Sequence, residues 1–339
     1  MISAQAAILR QLNAPLTVEE IVVPGVGVGQ VLVKVRASGI CGAQIREMTS
    51  GKGEDKYLPH LLGHEGAGVV DEVGAGVQKV KAGDHVVLHW RKGSGIESKC
   101  PVYISDRGDG FVGGGWVTTF NTHALISENR MTVIPKDIDF GVAALLGCAV
   151  TTGLGIIVND AKLKMGQSIA VAGVGGVGLN VIQGAAMVSA CPIVAIDLLS
   201  KKRELAKEFG ATNSLFSADG MRKVDVFVDC TGHPDVIKDG LAALAPGGKL
   251  ILVGQPREGQ DIVFEDMQRD YRGITIMDSQ GGLTNPDTDI PRYIKLYQAG
   301  KLELDKLITH RFPLAEINQA VELMKSGLSG RIIVEMGNA

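Results

Sequence analysis

The glycine-rich segment GVGGVG at positions 173–178 constrains the fold of this chain more than any other feature of its sequence. Before it, the small and β-branched residues 168–174 predict a buried strand, and after it residues 177–189 predict a helix. A strand, a tight glycine turn and a helix in this order are typical of a βαβ unit, whose parallel sheet is covered on both faces. The segment therefore predicts an α/β architecture.

The same alternation continues to about residue 278. Alternating strands and helices of this length predict a doubly wound parallel sheet, the Rossmann fold, over residues 150–283. The further strands are predicted at residues 192–197, 224–229, 249–253 and 273–278, and the helices at residues 201–209 and 234–245.

The first 149 residues follow a different pattern. Short β-branched runs, at residues 21–23, 31–35, 68–73 and 86–89, are separated by glycine and proline. This pattern predicts an antiparallel, barrel-like β domain. Residues 89–118 have no periodicity and many glycines and charges, so we predict a long surface loop there.

The tail from residue 284 onward returns to helices and one strand. Helices are predicted at residues 291–299 and 314–325, and a strand at residues 331–335.

The composition excludes several classes of function. The 34 lysines and arginines nearly balance the 37 aspartates and glutamates, which argues against a nucleic-acid or membrane-binding surface. Five scattered cysteines indicate a reducing compartment, the cytoplasm, and not a disulfide framework. The first residues lack an apolar leader pattern, so we expect no secretory signal. The uncharged stretches 140–158 and 168–196 are interrupted by glycines, and we interpret them as protein interior and not as membrane spans.

The glycine turn also predicts a dinucleotide site. Its glycines allow close approach of a pyrophosphate, which the N–H groups of the helix N-terminus bind. Asp197 ends the next strand, about 20 residues further on, where a carboxylate accepts hydrogen bonds from a ribose 2′-hydroxyl and repels a 2′-phosphate. The pattern therefore predicts NAD(H); the alternative is a structural turn in which Asp197 caps the following helix. The candidate cofactor-binding residues are Gly173, Gly175, Gly176, Val177, Gly178 and Asp197.

Motifs along the whole chain resemble one known family. They are GICG at 39–42, LGHEG at 62–66, GD at 83–84 and GCAVTTG at 147–153. With the glycine turn they resemble the medium-chain dehydrogenase/reductase superfamily, in its zinc-dependent alcohol dehydrogenase branch, and are most similar to class III enzymes. The resemblance implies a GroES-like β-barrel catalytic domain from residues 1–149 and 284–339, a Rossmann NAD-binding domain from residues 150–283, and a homodimer or homotetramer.

The resemblance also implies a catalytic metal site. Cys41, His64 and Cys148 fall where the family holds a zinc ion, and two thiolates with one imidazole leave a fourth position open for substrate. Zinc in such a site polarises a carbonyl or lowers the pKa of a bound alcohol. Without the family context, Cys41 and Cys148 would be interpreted as buried apolar residues, the commoner fate of a free cysteine.

Further roles follow from the same resemblance. Glu65 is expected behind the metal, where it assists ligand exchange. Thr152 is expected to face the nicotinamide, Lys202 to reach the adenosine ribose and Arg331 to contact the pyrophosphate. For Lys202 and Arg331 the alternative is an exposed or capping side chain, because basic residues usually lie on solvated surfaces.

The sequence departs from the family pattern in two regions. Relatives often bind a structural zinc through four cysteines in the region that corresponds to residues 89–116. Here this region has one cysteine, Cys100, so we expect no structural zinc. Ala43 and Arg46 replace the hydroxyl and the histidine of the usual proton relay, and Gln44 replaces the acid that orients the ligand histidine. We hypothesise that Arg46 recruits an anionic or polyol substrate, or the cofactor phosphates. His60 and His89 are candidates to carry the proton instead.

The sequence thus favours a zinc-dependent, NAD-linked dehydrogenase of an alcohol or polyol. Two alternatives stay open: a reductase of a conjugated double bond on the same fold, with zinc structural or absent, and a nucleotide-binding protein without turnover. The expected partner is a small-molecule alcohol or carbonyl compound, with no nucleic acid and no membrane.

Overall fold

The structure, a computed structural model, describes residues 2–49, 51, 53–108, 110–256, 259–263 and 273–337. The chain divides into two compact units. The first comprises Met1–Cys148, Asn285–Tyr297 and Leu304–Ala339, and the second Ala149–Thr284 and Gln298–Glu303. Within the described residues, no helix has the length and apolar character that a membrane crossing requires.

The strands are numbered in chain order. They are β1 (Ile2–Leu9), β2 (Thr17–Val23), β3 (Gln30–Gly39), β4 (His60–Leu61), β5 (Glu65–Val73), β6 (His85–His89), β7 (Val102–Ser105), β8 (Phe111–Gly113), β9 (His123–Ser127), β10 (Met131–Ile134), β11 (Ile169–Ala172), β12 (Ile193–Ile196), β13 (Asn213–Leu215), β14 (Val224–Asp229), β15 (Leu244–Leu252), β16 (Thr275–Asp278), β17 (Ile308–Pro313) and β18 (Arg331–Glu335).

The helices are numbered in the same way. Those of the described residues are α1 (Gly42–Met48), α2 (Phe140–Leu145), α3 (Ala149–Gly155), α4 (Gly176–Met187), α5 (Ser200–Glu208), α6 (Pro234–Ala242), α7 (Pro286–Gln298) and α8 (Ile317–Lys325). A π-helical turn, Ile156–Ala161, continues α3. Short 3₁₀ turns occupy Glu128–Arg130, Gly281–Leu283, Asp305–Leu307 and Leu314–Glu316.

The first unit is built from two β structures. Strands β1, β2, β7, β8 and β4 form a closed barrel, and a seven-stranded sheet has the order β10-β6-β5-β3-β18-β17 with β9 paired to β3. Alternate side chains of the barrel strands, among them Ile8, Ile21 and Tyr103, form an apolar cluster that is fully buried. The predicted barrel-like β domain is therefore confirmed.

The prediction of a long surface loop at residues 89–118 is wrong in part. Strands β7 and β8 lie within it and pair in antiparallel register, and they complete the barrel through β2 and β4. Tyr103 is fully buried, and its hydroxyl accepts a hydrogen bond from the Leu125 N–H at 2.9 Å. Exposed and buried residues alternate in Val102–Ser105, as in a half-buried strand. With only four residues among glycines and charges, this alternation was too short to predict a strand.

The second unit contains a six-stranded parallel sheet. Its order is β13-β12-β11-β14-β15-β16, so the direction of winding reverses between β11 and β14. Ligands of such sheets bind outside the carboxyl ends of the strands at this reversal. The predicted Rossmann fold is therefore confirmed, and the glycine turn lies directly after β11, at the reversal point.

Candidate active site

Three elements of the first unit each supply one ligating side chain. Cys41 directly precedes α1, His64 lies between β4 and β5, and Cys148 follows α2. Their ligand atoms lie within 4.8 Å of one another. In the described part of the chain, no other group of three histidines, cysteines or acids has this geometry.

The donor set fits a zinc ion. Contact with Cys148, then the hydrogen bond and charge of His64 and the charge of Arg331, hold the pKa of the Cys41 thiol well below its usual range, against the opposing effect of burial. The thiolate is the form of cysteine that binds a metal. Two sulfurs and one imidazole nitrogen would leave a fourth tetrahedral position for water or substrate.

Gln44 joins two of the ligand residues. Its Oε1 accepts a hydrogen bond from the Cys41 backbone N–H at 2.7 Å, and its Nε2 lies 2.8 Å from His64 Nδ1. Gln44 is fully buried. The sequence predicted that a negative charge is missing behind the histidine, and the structure has a neutral amide in contact with the ring there.

The turn that carries His64 requires glycine at the preceding position. Gly63 has a φ of +94°, and a Cβ on it would lie 2.3 Å from the Thr119 hydroxyl oxygen. The backbone N–H of Thr119 donates to the carbonyl of Leu62 at 3.0 Å, which fixes this turn against the neighbouring segment. The LGHEG motif therefore encodes a backbone conformation as well as a metal ligand.

Glu65 and Arg331 form a buried ion pair behind the ligand cluster. Arg331 Nη2 contacts Glu65 Oε1, and the two side chains are 4% and 0% exposed. Burial lowers the pKa of Arg331, while the charge of Cys41 and its hydrogen bond raise it. Arg331 is thus paired within the first unit, and its predicted contact with a pyrophosphate stays a prediction.

The glycine turn of the second unit has room for a phosphate. A Cβ on Gly175 would meet no protein atom within 4 Å, whereas a Cβ on Gly178 would lie 2.2 Å from the Gly173 carbonyl oxygen. Helix α4 begins at Gly176, and no side chain caps its N-terminus. The first N–H groups of α4, including that of Val177, are suited to bind an anion.

Asp197 is bound to the same turn. Its Oδ2 accepts a hydrogen bond from the Val174 N–H at 3.1 Å, and its Oδ1 accepts one from the Leu199 N–H at 3.0 Å. Leu199, and not Asp197, occupies the cap position of α5. The carboxylate thus holds both the glycine turn and the residues just before α5, and its oxygens can accept further hydrogen bonds. Its contact with a ribose stays a prediction.

Comparison with known proteins identifies the family. The model of the alcohol dehydrogenase GroES-like domain matches residues 27–136, and that of the zinc-binding dehydrogenase matches residues 176–299. The chain is 31% identical to S-(hydroxymethyl)glutathione dehydrogenase of Paracoccus denitrificans, over 97% of this chain and 99% of that protein. The chain belongs to the zinc-binding alcohol dehydrogenase family. The predicted resemblance, and the prediction of zinc and NAD as cofactors, are confirmed at the level of this family.

Other members of the family agree in sequence and fold. Alcohol dehydrogenase class-3 of Cereibacter sphaeroides is 31% identical over 97% of this chain and 99% of its own. Among solved structures, an alcohol dehydrogenase zinc-binding domain protein from Burkholderia ambifaria has a TM-score of 0.90 and 28% identity, covering 98% of this chain and 99% of its own. Benzyl alcohol dehydrogenase from Acinetobacter calcoaceticus has a TM-score of 0.86 and 26% identity, covering 99% and 100%.

The remaining predicted residues of this alcohol dehydrogenase lie in three helices. Thr152 lies in α3 and is buried, and Lys202 lies half-buried in the first turn of α5. Arg46 lies in α1, where its guanidinium donates to the Gly51 carbonyl at 3.1 Å. The roles predicted for these three side chains toward cofactor or substrate stay predictions.

Both candidate proton carriers have hydrogen-bond partners. His89 is buried, with Nδ1 2.7 Å from the Arg91 carbonyl and Nε2 3.0 Å from the Thr132 hydroxyl, and burial lowers its pKa to about 4. His60 lies between Asp55, at 2.8 Å, and the Leu61 carbonyl, at 3.0 Å. His89 is therefore a satisfied core histidine.

Two further cysteines lie next to strands of the parallel sheet. Cys191 is exposed and precedes β12, which starts at Ile193. Cys230 is half-buried after β14, and burial raises its thiol pKa.

Proposed function

We propose that this chain oxidises an alcohol or polyol, or reduces the matching aldehyde or ketone, with NAD(H) as the hydride carrier. Cys41, His64 and Cys148 would hold one catalytic zinc ion. The observation that carries the proposal is the convergence of these three side chains, from distant parts of the sequence, within 4.8 Å. Bound zinc would polarise the substrate oxygen and lower the pKa of an alcohol.

The protein itself would position the reacting groups. Bound NAD would supply the acceptor for a hydride from the carbinol carbon, and the hydroxyl proton would be released to solvent. Gln44 would hold the ring of His64, and the Glu65–Arg331 pair would supply fixed charges behind the ligands. We assign catalysis to residues 1–149 and 284–339.

Residues 150–283 would bind the dinucleotide. The open space at Gly175 and the uncapped start of α4 support binding of the pyrophosphate there. Asp197 at the end of β12 supports NAD over NADP, because a carboxylate repels a 2′-phosphate. Thr152 and Lys202 would contact the nicotinamide and the adenosine ribose.

The route of the proton differs from that of the family. Ala43 has no hydroxyl, and the Arg46 guanidinium stays charged throughout the accessible pH range. His89 is enclosed between a carbonyl and a hydroxyl and is 1% exposed, so it is a poor carrier. We propose that water in the substrate cleft carries the proton.

The alternative of a conjugated double-bond reductase has no specific support. Such a reaction needs no open zinc position, whereas the three ligand residues converge as a catalytic zinc requires.

The compartment and the assembly are further parts of the proposal. All five cysteines are free, which supports the reducing cytoplasm. A homodimer or homotetramer is proposed from membership of the family alone.

The test combines metal content with turnover. Purified enzyme is expected to hold one zinc ion per chain at this site and to form NADH from NAD and a primary alcohol such as benzyl alcohol or a polyol. Cys41→Ser and Cys148→Ser are expected to lose this zinc and turnover, whereas Cys191→Ser, at an exposed cysteine, is the matched control and is expected to keep both. Full turnover by the zinc-free variants would overturn the proposal.

A further inference from the structure

A cleft of about 590 Å³ in the first unit has an unusual lining. It contains the two tryptophans of the chain, Trp90 and Trp116, together with the cations Arg91, Lys92 and Arg130 and the apolar Val117. Aromatic walls fit a flat apolar group, and cations fit an anion. The lining itself includes no carboxylate.

The walls of this cleft are fixed before any ligand binds. Trp116 Nε1 donates to the Ser98 carbonyl at 3.1 Å, and the Arg130 guanidinium lies 5.2 Å from the centre of the Trp116 ring. Arg130 Nη1 also donates to the Trp90 carbonyl at 2.7 Å. Trp116 nevertheless is 45% exposed, so an indole surface of fixed orientation remains accessible. A pre-organised site loses little entropy on binding.

Two of these cations, Lys92 and Arg130, share one protein carboxylate. Glu97 pairs with Arg130 at 2.9 Å and with Lys92 at 3.5 Å, so one carboxylate serves two cations. Arg130 is 8% exposed, and among the described residues its Nε has no hydrogen-bond partner. Arg91 lies over the Trp90 ring, 5.7 Å from its centre. An anionic ligand in the cleft would offset the cost of holding a buried cation.

Two sets of backbone contacts connect the segments that line the cleft to the segment that carries His64. Glu65 pairs with His89 in the antiparallel register of β5 and β6, so Trp90 follows at the end of the strand pair that begins next to His64. On the other side, the N–H groups of Thr119 and Phe120 donate to the Leu62 carbonyl at 3.0 and 3.2 Å. The segment that contains Trp116 and Val117 is thereby attached to Leu62, which lies two residues before His64 in the sequence.

We infer that the substrate of this dehydrogenase is an aromatic alcohol that carries an anionic group, a carboxylate or phosphate, and that the Trp90–Trp116 cleft binds this end of it. The inference deepens the proposed function and rests on it. The aromatic ring lies against the indoles and the anion lies among Arg91, Lys92 and Arg130, while the carbinol extends toward the metal ligands. The reaction converts alcohol and NAD to aldehyde, NADH and a released proton.

Steady-state kinetics with charge-matched substrates test the specificity. We expect kcat/KM for 4-(hydroxymethyl)benzoate to exceed that for 4-methylbenzyl alcohol and that for the aliphatic anion 6-hydroxyhexanoate about tenfold or more, the effect of one charge-assisted contact. 4-(Hydroxymethyl)phenyl phosphate, compared with the benzoate, identifies which anion is preferred. Equal values for the charged and neutral aromatic alcohols overturn the role of the cations, and equal values for the two carboxylates overturn the role of the indoles.

Arg91→Gln and Lys92→Gln are expected to lower kcat/KM for the charged substrate and to leave that for the neutral one unchanged. Lys92 is largely exposed, so its replacement leaves the fold intact even if that of Arg91 does not. Lys301→Gln, at an exposed lysine of the second unit, is the matched control and is expected to change neither value.

Tryptophan fluorescence separates this inference from the proposed function, because both tryptophans line the cleft. Benzoate is expected to quench the emission in a saturable way and benzamide is not, and Lys92→Gln is expected to weaken the binding of benzoate several-fold. Quenching without turnover of any alcohol would reject the proposed function and retain the cleft. Turnover of alcohols with no saturable quenching, or with equal binding of benzamide, would reject the cleft and retain the function.

Discussion

At the scale of single residues, Gln44 is a neutral side chain at the position where the family usually has an acid, and it contacts two of the ligand residues. Its amide reaches both the Cys41 backbone at 2.7 Å and the His64 ring at 2.8 Å. A residue that orients a ligand histidine contributes to metal affinity although it does not touch the metal. The neutral amide therefore sets the orientation of the imidazole without adding negative charge.

Replacing Gln44 is expected to weaken zinc binding. Gln44→Ala removes both hydrogen bonds and should lower zinc affinity by about 10- to 100-fold, as measured by competition with a chelator. Gln44→Glu is the matched control, since its two oxygens can accept from the Cys41 N–H and from His64, and it should keep or raise the affinity. Unchanged affinity in Gln44→Ala would contradict the role of the amide.

The buried pair of Glu65 and Arg331 makes a second residue-scale prediction. Arg331→Met leaves the Glu65 carboxylate without its guanidinium, and the free energy of unfolding in urea should fall by about 3–5 kcal/mol. The double variant Glu65→Gln/Arg331→Met should recover part of this loss, because no buried charge then lacks its partner. A double variant as unstable as the sum of the single changes would show that the two side chains do not interact.

At the scale of elements, two glycines of the same turn have different physical roles. A Cβ on Gly178 would overlap the Gly173 carbonyl, so this glycine allows α4 to begin close to β11. A Cβ on Gly175 would enter open space, so this glycine leaves room for a ligand. Substitution by alanine at the two positions separates folding from binding.

Gly178→Ala is expected to lower the free energy of unfolding by about 1–3 kcal/mol through overpacking. Gly175→Ala is expected to keep the stability of the original chain and to weaken NAD binding. Thermal melts with and without NAD measure both effects. If NAD stabilised Gly175→Ala as much as the original chain, the assignment of the NAD site to the open space at Gly175 would be wrong.

The elements also show what could be predicted from the sequence. The parallel sheet was predictable because β11 and β12 are continuous apolar runs, each followed by a helix of different period. Its edge strand β13 was not predicted, because its three residues are largely exposed and include no apolar run. Strands β7 and β8 were not predicted either, since each has at most four residues and only Tyr103 and Val112 are buried among apolar neighbours. Strand β17 alternates half-buried with exposed residues and contains one arginine and one proline, so it gave a weak signal too.

At the scale of the whole molecule, the metal site could be predicted only from the resemblance to the family. Cys41, His64 and Cys148 belong to different elements and form no local motif, so spacing alone does not associate them. The Trp90–Trp116 cleft was not predicted at all, because its tryptophans are far apart in a segment interpreted as loop. Their proximity follows from the pairing of β5 with β6 and from the completion of the barrel by β7 and β8.

The stability of the first unit is expected to fall in weak acid because of His89. Burial lowers its pKa to about 4, whereas an unfolded histidine has a pKa near 6.5. Between these values the unfolded chain binds a proton that the folded chain does not, so stability is full above about pH 6.5 and declines as the pH falls toward 4. From pH 7 to pH 5 this costs about 2 kcal/mol.

Urea unfolding followed by tryptophan fluorescence measures this effect, since both tryptophans and His89 lie in the first unit. His89→Gln keeps a donor for the Arg91 carbonyl and is expected to lose about 2 kcal/mol less than the original chain between pH 7 and pH 5. The same pH dependence in both proteins would show that His89 titrates normally.

The central claim is that two thiolates and one imidazole of the first unit hold the metal on which the reaction depends. The most direct measurement is a crystal structure of the active enzyme with anomalous diffraction recorded on both sides of the zinc absorption edge. We predict one zinc peak in contact with Cys41 Sγ, His64 and Cys148 Sγ. An active enzyme with no zinc peak between these three side chains would contradict the account.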